Sequence, residues 1–275
     1  MAHAGVLRAL NHLGYYPAAI TGVSMGAVVG ATYALNSDWY RALVTMDISG
    51  FPTLPRFNSK GAGSTLNKLL LMERTAKDLY FGLGTGQHSV KWGRSVLQDL
   101  TLNKDLSEGR IPVFTTATDI LTGQRVVFRG GNAVDAIYAS SALAGLLPPL
   151  EHDPYILIDG GYSDVAPVDT LRDLGLDLVI AVDPSQHYMA QPPSNGLEVL
   201  LRSIEITQNA YAARQFEQAD IILKPRFSHT VGVMDFKHKR TCIAAGAQSV
   251  RMASQQLRDV IGKGEEAAVQ PLGVG

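Results

Sequence analysis

The chain has 275 residues, 46% of them apolar and 18% charged, with a formal net charge of −1. That is enough chain for one large α/β domain or two small ones, and a charge so near zero gives no electrostatic footing for nucleic acid or for an anionic membrane surface. A single cysteine, Cys242, excludes an internal disulfide and argues against a cysteine-based zinc site.

The opening Met1-Ala2-His3-Ala4-Gly5 has neither the basic nor the apolar region of a secretory signal. Val6, Leu7, Leu10 and Leu13 recur at helical spacing, and Gly14 stands where a helix ends. From Leu13 to Ser37 the chain carries no charge, but Pro17, Thr21, Ser24 and several glycines break the run. A membrane span needs about 20 predominantly apolar residues, so this stretch reads as a strand (Pro17 to Ile20), a turn and a buried helix (Ala27 to Leu35). The expected location is the cytoplasm, with at most peripheral contact at a membrane.

From Phe51 to Gly93 prolines and glycines loosen the pattern around two apolar clusters, Leu69 to Met72 and Leu79 to Phe81. The turn Gly82-Leu83-Gly84-Thr85-Gly86 has no lysine at phosphate-loop spacing and reads as a lid turn. Strands are predicted at Ile111–Ala117 and Arg125–Phe128, with Thr122-Gly123 turning between them, and a helix at Val134–Ala142. An apolar strand, Tyr155–Ile158, runs into Asp159-Gly160-Gly161. A short helix from Pro167 to Leu174, a buried strand at Leu178–Val182, a helix at Leu197–Phe216, a strand at Ile221–Leu223 and a final helix at Phe236–Ile261 complete the pattern. Strands alternating with helices predict an α/β fold whose mainly parallel sheet is covered on both faces. Residues 1–263 are expected to form one domain and 264–275 a flexible tail.

The most informative motif is Gly22-Val23-Ser24-Met25-Gly26, a G-x-S-x-G run between a strand and a small-residued helix. In that context the glycines let a serine occupy a sharp, strained turn with its hydroxyl clear of the sheet. The bland alternative is a glycine-rich turn with a serine helix cap. A serine hydroxyl needs a base to become a nucleophile. Asp159 is the candidate: like Ser24 it ends an apolar strand and is hemmed by glycine, and strand ends in an open α/β sheet face one crevice. It also reads as an Asx-turn residue shaping an Asp-Gly loop.

At this point the residues resemble the patatin-like phospholipase family. Ala2 to Leu7 is similar to the family's helix after its oxyanion loop, and Gly22 to Ala27 to its nucleophile elbow. Ala117-Thr118-Asp119, Thr122-Gly123 and Val126-Val127-Phe128 resemble its central hairpin. Ala139-Ser140-Ser141-Ala142 with Leu147-Pro148-Pro149 is similar to the stretch before its aspartate, and Asp159-Gly160-Gly161 followed by Pro167-Val168-Asp169 to its D-G-G/A motif. The resemblance implies a three-layer α/β/α fold and a Ser24–Asp159 dyad with no catalytic histidine. It also implies a lipid acyl ester as substrate, a phospholipid or another fatty-acyl ester cleaved through an acyl-enzyme. The N–H of Met25, next after the nucleophile, is the expected oxyanion donor. No metal, cofactor or nucleic acid is expected, and the clusters at Leu69–Met72 and Leu79–Phe81 are expected to cover or line an acyl-chain site or to form part of the core.

A histidine triad remains an alternative, through His187, His229 or His238, whereas His3, His12, His88 and His152 read as surface or capping residues. Asp119 and Asp183 also follow strands and are expected to be structural. Family members carry a first strand and a glycine-rich oxyanion loop ahead of the helix that begins here near His3. The sequence therefore leaves open a truncated chain, an enzyme with a substitute donor, or a weakly active or inactive relative that binds lipid or docks a partner.

Overall fold

A computed structural model describes residues 1–50, 87–186, 192–193, 196–229, 231 and 236–269. In chain order the elements are α1 (Ala2–His12), β1 (Ile20–Gly22), α2 (Met25–Leu35), α3 (Trp39–Thr45), α4 (Gln87–Thr101), β2 (Val113–Asp119), β3 (Arg125–Phe128), α5 (Ala133–Ser141), β4 (Leu150–His152), β5 (Tyr155–Asp159), α6 (Val168–Arg172), β6 (Ile180–Val182), α7 (Gly196–Phe216), β7 (Ile221–Leu223), α8 (Lys239–Met252) and α9 (Ser254–Val269). Single 3-10 turns lie at Leu106–Glu108, Gly160–Tyr162 and Phe236–His238. The apolar clusters at 69–72 and 79–81, and the glycine turn at 82–86, fall outside the described residues.

The chain divides into two compact units. The one that carries the serine motif, residues 22–164 with 232–236, is built on antiparallel pairing. β2 lies between β3 and β5, and β4 pairs with the far side of β5. All seven residues of β2 are buried, as befits a strand with neighbours on both edges. Ala117 of β2, Ala139 of α5 and Leu157 of β5 form the apolar contact between helix and sheet, and small side chains here let α5 sit close to the strands. Asn132 caps α5 by accepting from the N–H groups of Val134 and Asp135.

The other unit contains α1, α6, β6, α7, β7, α8 and α9. β6 and β7 pair in parallel, with Ile180 opposite Ile221. Val6 and Leu10 of α1, Ile221 and Leu223 of β7, Val250 of α8 and Leu257 of α9 make its core. Val6 and Leu10 are among the residues whose helical spacing the sequence displays, and Ile221 and Leu223 lie in a strand it predicts.

The α/β class is as expected, and the pairing among the described strands is mixed, antiparallel at β2–β3, β2–β5 and β4–β5 and parallel at β6–β7. The physical reason is in the connections. Only Asp153 and Pro154 separate β4 from β5, and only five residues separate β2 from β3, with Gly123 at φ +73 in that turn. Connections this short fold strands back as hairpins, whereas parallel neighbours need crossovers of a dozen residues or more. Two helices escape the sequence reading, α3 and α4. The terminal helical region is two helices, with Ala253 breaking the run.

Candidate active site

β1 ends at Gly22 and α2 begins at Met25. Ser24 is the N-cap of α2 at φ 51 and ψ −120. A side chain in that region is strained, at a cost of about 1–3 kcal/mol, and persists only where its surroundings impose it. Several contacts impose it here. A Cβ on Gly22 would lie 2.4 Å from the carbonyl carbon of Gly26, so no other residue fits the turn. The Gly26 N–H donates to the Val23 carbonyl at 2.7 Å, and the Val28 N–H to the Ser24 carbonyl at 3.1 Å. The Ser24 N–H itself donates to the hydroxyl of Ser140, 2.9 Å away and 116 positions along the chain.

Asp159 closes β5, opposite Ala117 of β2. The residue is 6% exposed, and its side chain accepts from the Gly161 N–H at 2.8 Å. Burial pushes the carboxyl up to about 6, against the pull of the Gly161 N–H and of the Ser24 hydroxyl that faces it. Its main chain is held on both sides. The Asp159 N–H donates to the Ala142 carbonyl at 3.0 Å, and the Thr118 hydroxyl donates to the Asp159 carbonyl at 2.9 Å. Gly160 follows because a Cβ there would sit 2.3 Å from the Thr116 carbonyl oxygen of the neighbouring strand. Tyr162 stands nearby, its hydroxyl accepting from the Ala144 N–H at 3.2 Å. Burial, and then the charge of Asp159, hold that phenol above its usual value, so it stays protonated.

Met25 is the first residue of α2. Its N–H has no acceptor among the described residues, as expected for the first turn of a helix, where the N–H groups have no intrahelical partner. The arrangement therefore combines a strained serine, a buried carboxyl raised to about 6, and an N–H without an acceptor among the described residues at the positive end of a helix. Such a set can deprotonate a hydroxyl, attack a carbonyl and hold the resulting oxyanion.

The other sequence candidates have structural surroundings. Asp119 is buried and accepts from the Thr122 hydroxyl at 2.6 Å and from the N–H groups of Ile156 and Leu121. These donors hold its carboxyl below the usual range, with the Thr122 hydroxyl foremost. Asp183 accepts from the Ser185 N–H and lies 3.6 Å from the Lys224 ammonium. His229 and His238 pair with each other at 3.1 Å in the other unit, and His187 lies outside the described residues. His152 packs edge-on against Phe128. His3, expected as a surface or capping residue, instead buries its Nδ1 without a partner among the described residues, and burial holds the ring down to about 3 and hence neutral. Among the described residues no cluster of His, Cys, Asp and Glu is placed to hold a metal.

What sequence reasoning missed is the part played by Ser140 and Ala142. Their stretch is visible as a motif, but nothing in its spacing tells which of two adjacent serines turns toward the elbow.

Comparisons with known proteins identify the family of the chain. A family profile described as patatin-like phospholipase matches residues 1–172. The lysophospholipase NTE1 of Cryptococcus neoformans is 32% identical over 184 residues, covering 66% of this chain and 10% of that protein. A patatin-like phospholipase domain-containing protein of Caenorhabditis elegans is 34% identical over 184 residues, 66% of this chain and 12% of its own. An uncharacterised NTE family protein of Mycobacterium tuberculosis is 25% identical across 95% of this chain and 45% of its own. The chain thus spans between a tenth and a half of the length of these curated relatives. Among solved structures, VipD from Legionella pneumophila overlies 91% of this chain and 64% of its own at 12% identity and a TM-score of 0.47.

Proposed function

The chain belongs to the patatin-like phospholipase family, with its three-layer α/β/α fold, and from that premise we propose that it is a serine acyl hydrolase cleaving fatty-acyl esters of lipids through a Ser24–Asp159 dyad. The observation that carries the proposal is the strained Ser24 with its hydroxyl facing a buried carboxyl at about 6. A pKa there lets Asp159 be ionised at neutral pH and still accept a proton readily.

Ser24 Oγ attacks the ester carbonyl carbon while its proton passes to the Asp159 carboxylate. The carbonyl oxygen becomes an oxyanion that accepts from the Met25 N–H at the start of α2. Collapse expels the alcohol, which takes the proton from Asp159 and leaves Ser24 acylated. Water then attacks the acyl-enzyme, Asp159 accepts its proton, and the fatty acid departs as Ser24 is restored. The names of the relatives favour lysophospholipids and phospholipids as the esters. Among the described residues no helix is long and apolar enough to cross a membrane.

The test is hydrolysis of short-chain p-nitrophenyl esters and of lysophosphatidylcholine by the wild type, Ser24→Ala and Asp159→Ala. Loss of a nucleophile or its base costs on the order of 10³-fold or more, so both variants are expected at background. Turnover surviving in Ser24→Ala refutes the nucleophile assignment. A wild type that binds lysophospholipid without cleaving it supports a lipid-binding role in place of catalysis.

A further inference from the structure

Ser140 and Ala142 stand at the C-terminal end of α5, two positions apart, and each holds the main chain of a different member of the proposed dyad. The Ser140 hydroxyl accepts the Ser24 N–H at 2.9 Å, and the Ala142 carbonyl accepts the Asp159 N–H at 3.0 Å. Ser140 is fully buried, and Ala142 with it. Both belong to the same compact unit as Ser24 and Asp159. One helix end therefore fixes two segments that lie 135 residues apart in the chain.

We infer that Ser140 is a positioning residue, whose hydroxyl holds the Ser24 peptide in its strained conformation and keeps that peptide's N–H out of the oxyanion hole. The inference rests on the Ser24–Asp159 reading and assigns the part that this third side chain plays in it. The Ser24 backbone, at φ 51 and ψ −120, is a conformation the local sequence does not favour, so it needs tertiary restraint. Most of the restraints at the elbow are local, among residues 22 to 28. The Ser140 hydroxyl ties the main chain of the nucleophile to the helix end that also holds the main chain of Asp159. An amide whose hydrogen is already directed at a buried hydroxyl does not serve an oxyanion on the other side of the turn, which leaves the Met25 N–H as the elbow's donor. Without the Ser140 acceptor the Ser24 peptide keeps only its local restraints, and misplacement of a reacting atom by about 1 Å costs on the order of 10²-fold in rate.

The neighbouring residue supplies a matched control. Ser141 is the same residue type on the same helix end, and its Oγ is buried with no partner among the described residues. A general packing defect at this helix end affects both serines, whereas a positioning role affects Ser140 alone.

The experiment compares wild type, Ser140→Ala, Ser140→Thr and Ser141→Ala in the full chain. Active sites are titrated with a fluorescent fluorophosphonate, and kcat per titrated site and KM are measured on p-nitrophenyl butyrate. Ser140→Ala is expected to lose about 10- to 100-fold in kcat per titrated site with KM within about threefold, while Ser141→Ala stays within about twofold of wild type. Ser140→Thr, which keeps the hydroxyl, is expected to recover most of the loss. Hydrogen exchange adds a readout independent of turnover: the Ser24 amide is protected in the wild type and Ser141→Ala, and exchanges faster in Ser140→Ala. A Ser140→Ala enzyme with wild-type kcat per site overturns the inference, as does an equal loss in Ser141→Ala or an unchanged Ser24 amide. A wild type that neither labels nor turns over, with a protected Ser24 amide that is lost in Ser140→Ala, overturns the hydrolase reading and leaves the positioning contact standing.

Discussion

The Ser24 N–H donates to the Ser140 hydroxyl across 2.9 Å, joining a strand–helix elbow to the end of a helix 116 positions later. Two residues beyond Ser140, the same helix end accepts the N–H of Asp159. The proposed nucleophile and base thus share one short piece of chain as an anchor, and the chemistry proposed for them depends on that geometry and on the burial of Asp159.

The pH dependence of catalysis should report Asp159. Burial raises its carboxyl to about 6, and the base must be ionised to accept the Ser24 proton. The kcat/KM for a short-chain ester is expected to fall about tenfold per pH unit below 6 and to level off above it. A rate profile between pH 4.5 and 8 checks this, and an acid limb near 4 contradicts the desolvated base.

Stability should respond to the same group with the opposite sense. Asp159 moves from an ordinary 3.8 to about 6 on folding, so the folded state binds its proton more tightly than the unfolded one. Its favourable contribution is complete below about pH 4 and is lost as the pH rises toward 6. Asp159→Asn keeps an acceptor for the Gly161 N–H and removes the buried charge. It is expected to stabilise the protein by on the order of 1–3 kcal/mol at pH 8 and by little at pH 4, while abolishing hydrolysis. Thermal unfolding at the two pH values is the measurement.

Strain at the nucleophile predicts a second exchange of activity for stability. Ser24 is at φ 51, where glycine carries no penalty. Ser24→Gly should therefore be inactive yet more stable by about 1 kcal/mol, read from denaturant midpoints.

The two glycines that admit close backbone approach make the converse case. A Cβ on Gly22 would meet the Gly26 carbonyl carbon at 2.4 Å, and one on Gly160 would meet the Thr116 carbonyl oxygen at 2.3 Å. Both obstacles are main chain and have little room to yield. Gly22→Ala and Gly160→Ala are each expected to cost about 1–3 kcal/mol by overpacking and at least about 10²-fold in kcat. Circular dichroism melts with parallel assays separate the two effects.

Much of this was legible in the residues. Arg125–Phe128 and Ile221–Leu223 are strands at the bounds their sequence suggests, because short apolar runs between turn residues leave few other choices. Ser24 and Asp159 are conspicuous as polar residues at the ends of apolar strands and flanked by glycine. Strand direction was not legible: periodicity records which face is buried, and the hairpins at 119–125 and 152–155 show their sense only through pairing. α4 was hidden by Gly93 and by the glycine-rich stretch before it. The orientation of Ser140 is a tertiary property, since helical spacing alone gives Ser140 and Ser141 equal standing.

The most direct measurement is peptide mapping by mass spectrometry after a fluorophosphonate has reacted with the folded chain. The proposed dyad predicts one adduct per chain, on the hydroxyl of Ser24, absent from Ser24→Ala and formed at least about 10²-fold more slowly in Asp159→Asn. An adduct on any other residue, or equal labelling of the Asp159→Asn variant, would contradict the assignment of Ser24 as nucleophile and Asp159 as its base.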